Sequence, residues 1–125
     1  MYVKPQIFIW GDHQSMSLPS EHDSMACEYE WRIVERPPVI LNEMANGEVA
    51  AIIVDGDKTH TDPKALKTAF LQKGHPQPLI ILISFFRLSA MAMALQYDYD
   101  EFLAKPIGPD QIRAMINKAN QNTNQ

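Results

Sequence analysis

AAIIVDGD, residues Ala50 to Asp57, is the stretch that decides the fold. Its apolar run, Ala50 to Val54, is too short for a helix of ordinary length and ends in β-branched Ile52, Ile53 and Val54, so it reads as a strand. Its hydrophobicity is continuous rather than alternating, which implies burial on both faces, the mark of a parallel sheet between helical layers. The run stops at a carboxylate, Asp55, followed by Gly56 and Asp57.

Two further runs, Ile7 to Trp10 and Leu79 to Ile83, repeat this pattern, and Trp31 to Val34 and Glu101 to Ala104 are weaker candidates. Helix signals fill the intervals. Asp62 can cap a helix whose first position is Pro63, with Leu66, Phe70 and Lys73 following at helical spacing and Gly74 as its stop. Leu88, Met91, Ala92 and Leu95 fall at i, i+3, i+4 and i+7, as do Ile112, Met115, Ile116 and Ala119 behind Gly108 and Pro109, which predicts two amphipathic helices. A shorter helix is predicted from about Pro38 to Ala45, ahead of Asn46 and Gly47. The connection from Trp10 to Trp31 holds Pro19, several serines and no clean apolar stripe, so its helix is expected to be short or distorted. Strands alternating with helices imply a doubly wound α/β fold, with a five-stranded parallel sheet and helices on both faces, of the flavodoxin-like kind.

The chain has 125 residues, 46% hydrophobic and 21% charged, which suits one domain. Residues 1–120 read as that domain and 121–125 as a polar tail or the start of a linker. A net charge of -4 argues against direct nucleic-acid binding and against attraction to an anionic membrane. The single cysteine, Cys27, excludes an intramolecular disulfide, and no apolar run is long enough to span a bilayer, so a soluble, cytoplasmic protein is expected.

Ligand sites in such sheets lie beyond the carboxyl ends of the strands, so the residues that follow each apolar run carry the functional expectation. These are Gly11 and Asp12, Asp55 to Asp57, Ser84, and Lys105 with Pro106. Asp12 and Asp55 can hold a hard divalent cation such as Mg²⁺. Lys105 and the Ser84 hydroxyl can contact phosphoryl oxygens, and an aspartate can itself accept a phosphoryl group as an acyl phosphate.

AAIIVD (50–55), PLIILIS (78–84) and DEFLAKPI (100–107) resemble the third strand, fourth strand and fifth-strand motif of response regulator receiver domains, the CheY-like family. Spacings of 43 residues from Asp12 to Asp55, 29 to Ser84 and 21 to Lys105 suit that family, and the match covers nearly the whole chain. The resemblance implies that Asp55 is the phosphoacceptor and Asp12 a metal ligand, with the backbone carbonyl of Asp57 completing a Mg²⁺ site. It implies further that Ser84 is the switch hydroxyl, Phe102 the switch aromatic, and Lys105 the lysine on the phosphoryl group, followed through a cis bond by Pro106. The partners it implies are a histidine kinase or phosphotransfer protein, and an output domain or second copy engaged through the last two helices and fifth strand.

The chain departs from the family pattern at Gly11, where a second acidic residue is usual, at Phe85, where the residue is usually small, and in the loop after Asp55, which lacks a Met-Pro-Gly pattern. Asp57 can replace part of the lost charge if its side chain turns inward. Two functions therefore stand side by side: a receiver phosphorylated on Asp55 in a two-component phosphorelay, regulatory rather than enzymatic, and a degenerate pseudo-receiver that acts as a protein interaction module. A flavodoxin-like cofactor binder is the third reading, and Gly11 alone ahead of Ser15, Ser17 and Ser20 is thin support for a phosphate-cradling loop. A histidine–carboxylate metal site at Asp12, His13 and His60 lacks a recognised ligand spacing.

Overall fold

The computed structural model describes residues 5–10, 29–34, 49–57, 62–74, 78–105 and 107–123. The elements are β1 (Gln6–Trp10), β2 (Glu30–Val34), β3 (Val49–Asp55), α1 (Lys64–Gln72), β4 (Leu79–Ser84), α2 (Arg87–Gln96), β5 (Glu101–Ala104) and α3 (Pro109–Thr123). The five strands form one all-parallel sheet in the order β2-β1-β3-β4-β5. The winding reverses beside β1, so a crevice opens at the carboxyl ends of β1 and β3. The predicted first helix and the predicted helix at 38–45 lie outside the described residues.

Continuous hydrophobicity in β1, β3 and β4 arises because successive side chains enter opposite layers. Phe8, Trp10, Ile52, Val54, Ile80 and Leu82 build one core with Leu66 and Phe70 of α1, Ala90 of α2, and Tyr99. Ile7, Ile9, Ala51, Ile53, Ile81 and Ile83 build the other with Ile107 and with Ile112 and Ile116 of α3. Helices thus cover both faces, as the strand pattern requires.

The ends of α1 follow their sequence signals. Asp62 Oδ1 accepts the Lys64 N–H at 3.0 Å, next to Pro63 in the first-turn position. Gly74, at φ 75°, supplies the left-handed residue that ends the helix, its N–H donating to the Leu71 carbonyl. At α3, Pro109 opens the helix and Gln111 Oε1 accepts the Gly108 N–H at 2.9 Å, the reciprocal half of a capping box. The helix runs to Thr123, so residues 121–123 continue it rather than leaving it.

Helix α2 lies where the periodicity puts it but presents the other face to the sheet. Leu88, Met91, Ala92 and Leu95 are all exposed, Leu88 at 81% and Leu95 at 85%. Ala90, Met93, Ala94 and Tyr97, an equivalent i, i+3, i+4, i+7 set two residues later, pack on the core instead. Two alanines in this inner stripe let the helix axis come close to β4 and β5, which larger residues there would prevent.

A polar clamp ties the lower ends of β4 and β5 to α1. Lys67 Nζ donates to Asp100 Oδ1 at 3.0 Å, and Asp100 Oδ2 accepts the Ile80 N–H at 2.8 Å. Lys67 is buried, and its ammonium reaches this carboxylate.

Candidate functional site

Strand register brings the predicted residues to one level. Asp55 pairs with Ile83, and Ser84 pairs with Ala104. Two backbone bonds extend these ladders one step past the strands: Gly56 N–H to the Ile83 carbonyl and Lys105 N–H to the Ser84 carbonyl, both 2.8 Å. Asp55, Ser84 and Lys105 therefore meet although 29 and 21 residues separate them in the chain. The backbone at Gly56 must approach β4 closely, since a Cβ there would lie 2.9 Å from Leu82 Cδ1 and 3.3 Å from the Ile83 carbonyl oxygen.

Asp55 is fully buried. Its Oδ1 accepts the Lys105 ammonium at 2.6 Å and the Asp57 N–H at 2.9 Å, the second bond closing an Asx turn over Gly56. Its Oδ2 is buried and has no hydrogen-bond partner among the described residues. A buried carboxylate oxygen is costly to leave unpaired, so Oδ2 is the atom of this group placed to take a further donor or cation.

The turn carries the Asp57 side chain inward, over β4. Asp57 Oδ1 accepts the Ser84 hydroxyl at 2.6 Å, and Oδ2 accepts the Phe85 N–H and the Lys105 ammonium, both at 3.0 Å. The Ser84 hydroxyl, having donated to Asp57, accepts the Phe86 N–H at 2.9 Å and so joins the pocket to the start of α2. The Phe85 ring is mostly exposed and lies 5.0 Å from Lys105 Nζ, within cation–π range. Phe102 is half-buried against the core that faces α1 and α2.

The predicted group of Asp55, Asp57, Ser84 and Lys105 is thus brought together. Asp12, His13, His60, Cys27 and Pro106 lie outside the described residues. Among the described residues no group of three or more His, Cys, Asp or Glu side chains is placed to hold a metal ion. Among the described residues the Asp57 carboxylate is committed to Ser84, Phe85 and Lys105, while Asp55 Oδ2 makes no hydrogen bond. A cavity of about 220 Å³ at the opposite end of the sheet, beside Ala50, Leu79 and Ile116, has Asp100 as its one ionisable lining residue, and that carboxylate is already held by Lys67 and Ile80.

Burial works against ionisation of Asp57, but hydrogen bonds from Ser84, Phe85 and Lys105 outweigh it and hold its carboxyl below the ordinary 3.8. Burial likewise opposes the charge of Lys105, and its bonds to Asp55 and Asp57 outweigh that, raising the ammonium above 10.5. Desolvation, with the charges of Asp62 and Tyr97, pushes the Tyr99 phenol up to about 12. Lys105 and Tyr99 have raised values, so the stability they contribute is complete below their unfolded values and is lost as pH rises through the folded ones. Asp57 is depressed, and its contribution is lost as pH falls through its folded value. Urea midpoints measured against pH are expected to hold level through neutrality, to fall from about pH 10 toward pH 12, and to fall again below about pH 4. A midpoint unchanged between pH 9 and 12 contradicts this burial of Lys105 and Tyr99.

Among the described residues no helix is long and apolar enough to cross a membrane. No protein-family model matches the chain, and no curated protein matches it.

Proposed function

We propose that the chain is a receiver domain that accepts a phosphoryl group on Asp55 and passes the resulting rearrangement to a protein partner. The observation that carries this reading is the Asp55 carboxylate, fully buried at the end of a central strand, with Oδ1 held by Lys105 and Oδ2 without a hydrogen-bond partner among the described residues. In the transfer, an Asp55 oxygen attacks phosphorus, the bond from phosphorus to the donor breaks, and the donor leaves with that electron pair. Lys105, already against Asp55, opposes the charge that gathers on the phosphoryl oxygens. Asp12, Asp55 and the carbonyl of Asp57 would hold Mg²⁺, which supplies further neutralisation of that charge. In this reading the physiological donor is a histidine kinase or phosphotransfer protein. The output surface in this reading comprises α2, β5 and α3 and serves an output domain or a second copy.

The specific observation favouring the pseudo-receiver reading is the position of Asp57, whose carboxylate takes the Ser84, Phe85 and Lys105 donors that a phosphoryl group would use. Mg²⁺ with acetyl phosphate or beryllofluoride separates the two. The receiver reading expects a single phosphate added to the mass and shifted amide resonances at Asp57, Ser84 and Phe85. An unchanged mass and spectrum, under conditions that modify a standard receiver, assigns the protein to the interaction modules.

A further inference from the structure

We infer that the Asp57 carboxylate is a resident internal ligand of an oxyanion subsite, built from the Ser84 hydroxyl, the Phe85 N–H and the Lys105 ammonium, and that an incoming tetrahedral oxyanion must displace it. The three donors come from two strand ends and the start of one loop, and they converge on the two oxygens of one carboxylate at 2.6, 3.0 and 3.0 Å. A hydroxyl, a backbone N–H and an ammonium together are the donor set that recognises phosphate or sulfate oxygens. Lys105 and Ser84 are buried, so two of the three donors are desolvated and oriented whether or not an outside ligand is present, while Phe85 lies at the exposed rim. Asp57 satisfies them at no cost in new ordering, because its backbone is already fixed by the Asx turn onto Asp55 Oδ1.

Charge reinforces the competition. The described pocket holds two carboxylates and one ammonium, so an added oxyanion meets a net negative site while Asp57 stays in place. Moving or removing that side chain exposes three donors and cancels one repelling charge in the same step. Asp57 is a competitor here, since it occupies the groups that would touch the oxyanion.

The inference extends the receiver reading by naming what occupies its phosphoryl subsite, and its principal test does not need Asp55 to react. Sulfate is titrated into isotope-labelled protein while the Ser84 and Phe85 amides are followed. The wild type should bind sulfate weakly, Asp57→Ala at least about 10-fold more tightly, and Asp55→Asn/Asp57→Ala more tightly again as the second repelling carboxylate goes. Equal sulfate affinity for wild type and Asp57→Ala overturns the inference, whatever happens with acetyl phosphate. If Asp57→Ala does not fold, Asp57→Asn retains the side-chain volume without the charge and should show the same direction. In the unmodified wild type the Phe85 amide should exchange with solvent at least about 10-fold more slowly than in Asp57→Asn, and a Phe85 amide equally fast in both proteins also overturns it. Should sulfate behave as expected while acetyl phosphate leaves no added mass, the subsite stands and phosphoryl transfer to Asp55 fails.

Discussion

Lys105→Met is expected to lower the free energy of unfolding by about 3–5 kcal/mol, read as a reduced urea midpoint with little change in slope. Methionine fills much of the space of the lysine stem, so little of the loss comes from packing. The loss comes from charge. The Lys105 side chain is 2% exposed and that of Asp55 is 0% exposed, and their 2.6 Å contact is the one opposite charge on the Asp55 carboxylate among the described residues. Without Lys105, Asp55 and Asp57 face each other across a desolvated pocket. Adding Asp55→Asn to the Lys105→Met protein removes one of these carboxylates and should restore part of the stability, a non-additivity that a double-mutant cycle reads directly. A Lys105→Met protein less than about 1 kcal/mol weaker than wild type would mean that the ammonium does not carry the pocket.

Asp55→Asn alone should abolish modification by acetyl phosphate, a loss of at least about 100-fold in incorporated phosphate by mass spectrometry. An amide oxygen at this position can still accept from Lys105 and from the Asp57 N–H, but it forms no stable acyl phosphate. The fold is therefore expected to persist while the reaction disappears, which separates chemistry from stability as Lys105→Met does not. Phosphate incorporation that survives in Asp55→Asn places the acceptor elsewhere in the chain.

The strands were legible because a buried parallel strand has no polar face to confuse the pattern: β5 lies at Glu101–Ala104 as read, and the other four differ from the predicted runs only by a residue at one or both ends. The joining of Asp55, Ser84 and Lys105 was legible for the same reason, since strand ends in a parallel sheet share one edge. Orientation was harder to read. Asp57 was expected to contribute a backbone carbonyl, with its side chain only a conditional source of charge, yet the side chain makes three of the bonds that define the pocket. The usable signal is the Asp-Gly-Asp order, where the first carboxylate accepts the third residue's N–H and turns its side chain back over the sheet. The pairing of Lys67 with Asp100 left no such trace, because the two stand 33 positions apart and neither has a local partner pattern. For α2 the apolar period was right and the face was wrong, because the helix carries two stripes of the same spacing and hydrophobicity alone favours the bulkier one.

Those two stripes give α2 a rotational ambiguity. Positions two residues apart are about 200° apart around a helix, so turning α2 roughly half a revolution would exchange Ala90, Met93 and Ala94 for Leu88, Met91, Ala92 and Leu95 at the sheet. At the helix entrance the Phe86 N–H donates to the Ser84 hydroxyl oxygen, a bond that ties the start of α2 to the end of β4. The serine that touches the acidic pocket is thereby also an anchor for the mouth of a cylinder that has two oily sides, one of which is turned to water.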